Sequence, residues 1–370
     1  MENALIYEIV AIVFSALIAF MLTPVIRVFA FKVNALDIPD KTRHLHMYVT
    51  PRLGGLAIFI SFLCNVLLFC DLTPEITGLL LGTLVVMLVG VMDDIMTFKP
   101  LLKLLGQLVA AVIPVLFGVR IQFITLFGTT YDFGWLSIPL TIGWILLLTN
   151  SVNLIDGMDG LACGVSTISA FSILLCSLVL GQYDIAHLMA ILAGSCLGFL
   201  PFNSHPARIF MGDTGALSLG YVFSVVSVMG LYKFSTSLSF IVPILIFGLP
   251  FGDTFSAIFR RLKNKSGIFQ GDHEHFHHKL QGIGFSQKQS VVILYSISAI
   301  LGLTAVLFAM DLTILALAVL LFSILIGYIN LLIFRGSDMT REQTGLALSY
   351  RRHATPPPAD AQNEKENPNK

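Results

Sequence analysis

Four short stretches hold most of the residues able to do chemistry, and each lies at the end of a long apolar run. Asp93 and Asp94 sit in GVMDDIMTFKPLLKLLGQ, and Asn150, Asn153, Asp156 and Asp159 punctuate TNSVNLIDGMDGLACG. Asn203, Phe210 and Asp213 occur in FNSHPARIFMGDTG, and His275, His277 and His278 end FRRLKNKSGIFQGDHEHFHHKL. Adjacent carboxylates repel one another, so Asp93 and Asp94 call for a partner: Mg²⁺, a proton, or a lysine such as Lys103. A plainer reading of the pair is a solvated helix end.

The spacing of Asn150, Asn153, Asp156 and Asp159 is three residues at each step. On a helix these positions fall broadly on one side and turn two amides and two carboxylates toward a common space. Asp213, before another apolar run, reads either as a ligand for a hard metal ion or as a helix N-cap. Arg260, Arg261, Lys263 and Lys265 precede Asp272, His273 and the later histidines, and basic groups there suit a pyrophosphate or lipid phosphate. Histidines also raise zinc, but tetrahedral sites use wider spacing and often cysteine, so oxygen ligation of Mg²⁺ suits the carboxylates better. Neither a Walker A nor a dinucleotide-binding fingerprint is present, which argues against ATP-driven transport.

The elements that position these groups follow from composition. Of 370 residues, 56% are hydrophobic and 12% charged, with 29 Phe, and the mean hydropathy is +0.85. Soluble domains carry roughly twice that charge, so the departure marks long apolar runs. Eleven runs reach helix-spanning length, at 5–31, 53–70, 76–92, 104–118, 138–152, 161–180, 186–202, 214–232, 238–252, 290–309 and 312–334; each boundary is good to about 2–4 residues. Backbone polar groups must pair within lipid, so the expected fold class is all-α, a polytopic membrane helix bundle of about eleven transmembrane helices.

Charge asymmetry orients that bundle. With the N-terminus outside and the C-terminus cytoplasmic, Lys32, Lys99, Lys103, Arg260, Arg261 and Lys279 fall inside, while Arg120 and Lys233 are the basic residues of the opposite loops. All four polar stretches then share the cytoplasmic boundary. Residues 1–334 are expected to form one integral-membrane catalytic domain, and 335–370 a polar, disordered tail. The five cysteines lie in or beside apolar runs and read as packing residues. Net charge is zero, so no global field points to nucleic acid. A transporter is the competing class, but it would place its critical groups near the bilayer midplane.

Taken together the motifs resemble the polyprenyl-phosphate N-acetylhexosamine-1-phosphate transferases (glycosyltransferase family 4), which include the lipid I synthase of peptidoglycan assembly. The resemblance covers about residues 38 to 335. His46, the stretch Pro51 to Gly55 (PRLGG) and DHEHFHH look most like the undecaprenyl-phosphate N-acetylglucosamine-1-phosphate transferase branch, which serves O-antigen, enterobacterial common antigen or teichoic acid linkage. The resemblance implies a multi-pass protein of the bacterial inner membrane with a cytoplasmic active site. It implies Mg²⁺ as cofactor (Mn²⁺ as the alternative), UDP-N-acetylglucosamine and undecaprenyl phosphate as partners within membrane lipid, no nucleic acid, and a homodimer as candidate assembly. Another UDP-N-acetylhexosamine or UDP-N-acetylmuramoyl-pentapeptide is the alternative donor.

Carried across by motif, Asp213 and Asn153 would ligate the metal and Phe210 would stack on uracil. Asn203 and Asp156 would hold the nucleotide, with Lys103 and Arg260 at the phosphates. Asp93 and Asp94 would lie near the lipid phosphate, Asp159 would join the catalytic carboxylates, and His275, His277 and His278 would contact phosphate or sugar. Ala216 replaces a frequent serine and His273 a common arginine, and the second change bears on phosphate or sugar affinity.

Overall fold

The computed structural model describes residues 2–38, 49–126, 129–231, 238–263 and 275–327. Helix α1 (Glu2–Lys32) leads through β1 (Leu36–Asp37) and β2 (Thr50–Pro51) to α2 (Gly55–Phe69), α3 (Pro74–Met96) and α4 (Pro100–Leu116). A hairpin of β3 (Phe123–Leu126) and β4 (Thr129–Asp132) precedes α5 (Ser137–Leu154), α6 (Leu161–Val179), α7 (Tyr183–Asn203) and α8 (Gly212–Leu231). Then come α9 (Leu238–Ile246), α10 (Gly248–Lys263), α11 (Phe276–Gly282) and α12 (Gln287–Ala309), and an apolar helix α13 (Thr313–Gly327). The chain is an all-α polytopic membrane helix bundle, with two short antiparallel strand pairs among the described residues of its connections.

Among the described residues, seven helices are long and apolar enough to cross a membrane: α1, α3, α5, α6, α7, α8 and α12. Helices α2, α4 and α13 are shorter apolar helices. The run expected as one span over 238–252 is two helices, α9 and α10, that meet at Phe247. Asp253 and the basic end of the segment, Arg260, Arg261 and Lys263, therefore belong to an amphipathic helix rather than to a loop. The described residues up to 317 form one compact unit, and 318–327, which are helical, belong to a second. The expected boundary at 335 and the tail beyond it lie outside the described residues.

Helix α8 is the axis of the first unit: 83% of its apolar stretch is buried, against 28% for α1. Leu217, Leu219, Tyr221, Val222, Phe223, Val225 and Val226 of α8 have almost no exposure, whereas Leu5, Val10, Leu17 and Met21 of α1 face outward, as lipid contact requires. Helices α2, α3 and α5 all pack on α8. Small residues allow that closeness. A Cβ on Gly90 of α3 would strike the Thr214 backbone, and one on Gly220 would strike Thr149 of α5. Because α8 begins between the C-terminal ends of α3 and α5, this packing brings their polar ends together at one end of the bundle.

Candidate active site

The start of α8 is seated on a carboxylate from another helix. Asp94 Oδ1 accepts the Asp213 N–H at 2.9 Å, and Oδ2 accepts the Thr214 N–H at 3.0 Å and its hydroxyl at 2.6 Å. Helix N-termini leave N–H groups without intrahelical partners and carry partial positive charge, so a buried anion suits this position. Gly212 makes the seat accessible: its φ is +71°, and a Cβ there would collide with the Asp94 carboxylate. Asp213 is therefore not the cap of its own helix. The cap comes from Asp94, and the Asp213 side chain is released for other contacts.

Those contacts converge on one cation. Lys103 Nζ lies 2.6 Å from Asp213 Oδ2, 3.1 Å from Asp93 Oδ2 and 3.4 Å from Asn153 Oδ1. Asn153 Nδ2 donates to the other Asp213 oxygen at 2.6 Å, and the Phe98 N–H donates to Asp93 Oδ1 at 2.6 Å. Two carboxylates and an amide oxygen around an ammonium form an oxygen donor set of the kind that suits hard divalent cations. Among the described residues, no group of three or more His, Cys, Asp or Glu side chains surrounds a common metal position. The residues that could hold such a cation are therefore the Asp93 and Asp213 carboxylates with the Asn153 amide oxygen, the positions now engaged by Lys103.

In front of this cluster opens a cleft of about 570 Å³, lined by Asp94, Asn153, Asp156, Asn203, Phe210, Asp213 and His278 among others. Asp156 and Asp159 do not continue the helical face of Asn150 and Asn153, because α5 ends at Leu154. They lie on the turn that follows, which aims Asp156 into the cleft. Burial, with Asp213 and Asp94 nearby, pushes the Asp156 carboxyl up to about 8, so it holds its proton at neutral pH. Asp159 is engaged elsewhere on the rim: its Oδ2 is 2.8 Å from His205 Nδ1 and accepts the Ala207 N–H at 3.1 Å. Asn150 turns away toward α4, pairing with Gln107 at 2.6 Å.

Three backbone hydrogen bonds zip β2 and the residues that follow it to the segment before α8. Phe210 N donates to Pro51 O, Gly54 N to Phe210 O and Gly55 N to Met211 O, each at 2.9 Å. This rigid strip fixes Phe210 in the wall and holds Arg52 across the cleft, where its guanidinium donates to Asp37 Oδ1 at 2.6 Å. Asn203 Nδ2 donates to Ile209 O at 3.1 Å, while its buried Oδ1 accepts nothing among the described residues. An acceptor is thereby left in the wall that Phe210 shares.

The histidines form a row. The rings of His275 and His277 are parallel within 4° at 5.7 Å, and His277 and His278 are 4.2 Å apart. His278 reaches the cleft, and the His277 ring presses on Gly157, where a Cβ would overlap it. Burial, with His278 and His275 adjacent, pulls the His277 imidazole down to about 4, so it is neutral at pH 7. His273 and Asp272 lie outside the described residues.

The cluster thus unites Asp93, Asp94, Lys103, Asn153 and Asp213, and the cleft adds Asp156, Asn203, Phe210 and His278. Asp93 and Lys103 stand behind the cleft lining rather than in it. Arg260, expected at the phosphates, lies in the last turn of α10 and is not among the described residues that line the cleft. Two residues escaped the sequence reading. Arg52 lies inside the PRLGG stretch, where nothing local marks it as a cleft residue. Asp253 was hidden at the end of an apolar run, although its spacing of four from Leu249 and from Ala257 puts it on their buried face.

Comparison of the sequence with known proteins finds relatives over most of the chain. Residues 76–231 match the glycosyl transferase family 4 profile. A probable undecaprenyl-phosphate N-acetylglucosaminyl 1-phosphate transferase of Bacillus subtilis (strain 168) is 39% identical over 309 residues, 83% of this chain and 86% of that protein. The decaprenyl-phosphate N-acetylglucosaminephosphotransferase of Mycobacterium tuberculosis (strain ATCC 25618 / H37Rv) is 31% identical over 313 residues, covering 76% and 77% respectively. A phospho-N-acetylmuramoyl-pentapeptide-transferase of Bacillus pumilus (strain SAFR-032) is 33% identical over 281 residues, covering 70% and 83%. With such identity sustained over most of its length, the chain belongs to glycosyl transferase family 4.

Proposed function

We propose that this protein transfers N-acetylglucosamine-1-phosphate from UDP-N-acetylglucosamine to undecaprenyl phosphate, releasing UMP. The observation that carries the reading is the convergence of Asp213, Asp93 and Asn153 oxygens on the Lys103 ammonium beside a polar cleft at one end of a membrane bundle. An anionic water-soluble donor and an anionic lipid can meet there without either leaving its own phase. The printed names of the Bacillus subtilis and mycobacterial relatives, an undecaprenyl- and a decaprenyl-phosphate enzyme that share N-acetylglucosamine, support the acceptor class and the sugar.

In this reading an oxygen of the lipid phosphate attacks the phosphorus attached to the sugar. The bond from that phosphorus to the bridging oxygen breaks, and UMP departs with the electron pair. One phosphoanhydride replaces another. A monoester phosphate has its second pKa near 6, so the acceptor is largely dianionic at pH 7 and needs no strong base. Catalysis is then mostly alignment and charge neutralisation.

Each residue has a role consistent with its position. Phe210 stacks on the uracil, and the Asn203 Oδ1 accepts from the ring N–H. Asp156, protonated, donates a hydrogen bond where an ionised carboxylate would repel phosphate. His278, backed by His277 and His275, faces the sugar or its phosphate. Asp213 and Asn153 would hold Mg²⁺ (Mn²⁺ as the alternative), which supplies neutralisation of the phosphate charge and in-line orientation of the reacting groups when bound. Asp94 keeps Asp213 in place, and Lys103, held by its ion pair with Asp93, adds a second positive charge on the acceptor side.

Catalysis is assigned to residues 1–334. An N-terminus outside and a cleft facing the cytoplasm of a bacterial inner membrane accord with the basic loops. The test is UMP release by the purified protein with undecaprenyl phosphate and separate UDP-sugars, with and without Mg²⁺. Metal-dependent release with UDP-N-acetylglucosamine is expected, and equal rates with UDP-N-acetylmuramoyl-pentapeptide would overturn the donor assignment.

A further inference from the structure

Asp253 is 1% exposed, in a helix whose neighbouring buried positions are Leu249, Pro250, Phe251, Thr254 and Ala257. A carboxylate so enclosed is unfavourable unless its oxygens are matched by donors. Both are matched, and both donors come from the histidine segment. Oδ2 lies 2.8 Å from His275 Nδ1, and Oδ1 accepts the Phe276 N–H at 2.9 Å. His275 itself occupies the N-cap position of α11 without a side-chain cap of its own, so Asp253 fixes this turn from a different helix. The sequence interval between the partners is 22 residues, much of it outside the described segments.

This contact selects a form of the imidazole. A carboxylate facing Nδ1 demands a proton there, which leaves Nε2 as the lone-pair nitrogen of the neutral ring. The ring plane is fixed by the same bond and carried on by packing: His275 lies parallel to His277, His277 abuts His278, and His278 lines the cleft. The geometry points to Asp253 as a positioning residue that sets the tautomer and plane of His275 and, through the row, the presentation of His278 to the phosphate-bearing substrate. This role rests on the transfer reaction proposed above.

Asp253→Asn and His275→Gln, alone and combined, test it in the full-length protein in lipid nanodiscs. Nitrogen-15 spectra of histidine-labelled protein, with the His275 signals assigned by their loss in His275→Gln, report the tautomer directly. We expect an Nδ1-protonated ring in the unaltered protein. Asp253→Asn should move it toward Nε2 protonation, because the Asn amide then donates to Nδ1. In UMP release, Asp253→Asn should lower kcat by about 10–100-fold, the usual effect of losing such an orienting partner, with a smaller change in donor KM. Adding it to His275→Gln should produce little further loss, since both act through one ring.

An unchanged tautomer in Asp253→Asn, or fully multiplicative losses in the double variant, would overturn the assignment. If the unaltered protein releases no UMP from any donor, the transfer reading fails, while the spectra still decide whether Asp253 governs His275. Asp253→Glu, which keeps the charge, should recover part of kcat; recovery no better than with Asn would count against a carboxylate-specific role.

Discussion

The Asp94 carboxylate receives the backbone of Asp213, whose N–H donates to Asp94 Oδ1 at 2.9 Å while the next N–H donates to Oδ2. The second carboxylate of the Asp93–Asp94 pair thus holds the helix that carries Asp213, and the first meets Lys103. Two adjacent acids that repel in isolation are separated into two functions by the packing of α3 against α8.

Asp94→Asn keeps the size of the side chain but replaces one acceptor oxygen with an NH₂ group facing a backbone donor. The expected loss of stability is about 1–2 kcal/mol, from the helix-terminal anion and one hydrogen bond. Turnover should fall by about 10–100-fold as Asp213 loses its seat. Thermal unfolding and UMP release measured on the same preparation check both; full activity with a lowered melting temperature would show that Asp213 does not depend on this seat.

Lys103→Met removes the cation on which Asp93, Asp213 and Asn153 converge. Deleting one partner leaves the remaining charge uncompensated, at a cost below the roughly 3–5 kcal/mol of a fully buried pair because the Asp213 side chain is 30% exposed. The variant should therefore melt well below the parent protein in EDTA and recover much of the difference in millimolar Mg²⁺. A Mg²⁺ response no larger than the parent's would argue that these oxygens do not accept a divalent ion.

Asp156 gives a pH signature. Its folded-state pKa is about 8, against a model-peptide value of 3.8, so between those values the folded protein holds a proton that the unfolded chain has released. Stability contributed by this difference is greatest at low pH and declines as pH rises from about 4 to 8. Asp156→Asn cannot ionise, so in metal-free buffer its melting temperature relative to the parent should rise from pH 5 to pH 8. A constant gap across that range would remove the raised pKa from the account. His277 has the opposite sign: its pKa is held near 4, below the ordinary 6.5, so its share of stability is complete above that value and is lost as pH falls toward 4.

Gly157 admits the His277 ring beside the turn that carries Asp156. Gly157→Ala should displace that ring at a cost of about 1–3 kcal/mol, as overpacking does, and should lower kcat more than it raises KM for the donor. Steady-state kinetics with varied donor concentration distinguish this from a binding defect; an alanine variant with parental stability and kcat would place the ring elsewhere.

Much of the site was legible because charge is rare in this chain. Asp93, Asp94, Asn153 and Asp213 stand out against apolar runs, and Lys103 was within reach as a partner. Their grouping at helix ends follows from the expense of placing them deeper in lipid. What local pattern could not convey was long-range exchange of roles. Asp213 looked like the cap of its own helix, but the cap arrives from Asp94, 119 positions earlier. Asp156 and Asp159 kept a helical period past the point where α5 stops at Leu154, because a period of three is also compatible with a turn. The run 238–252 read as one span because hydropathy is blind to the break at Phe247, and that error concealed Asp253.

The most direct test of the proposed chemistry follows the phosphorus. UDP-N-acetylglucosamine labelled with ³²P at the phosphate attached to the sugar is incubated with the purified protein, undecaprenyl phosphate and Mg²⁺, and the lipid and aqueous phases are separated. Transfer of sugar-1-phosphate predicts that the label enters the lipid phase with the sugar, that unlabelled UMP appears in equal amount, and that both are lost in Asp213→Ala. Label remaining in water as UDP while the sugar enters the lipid would contradict the account, because the bond broken would then be the one between sugar and phosphate.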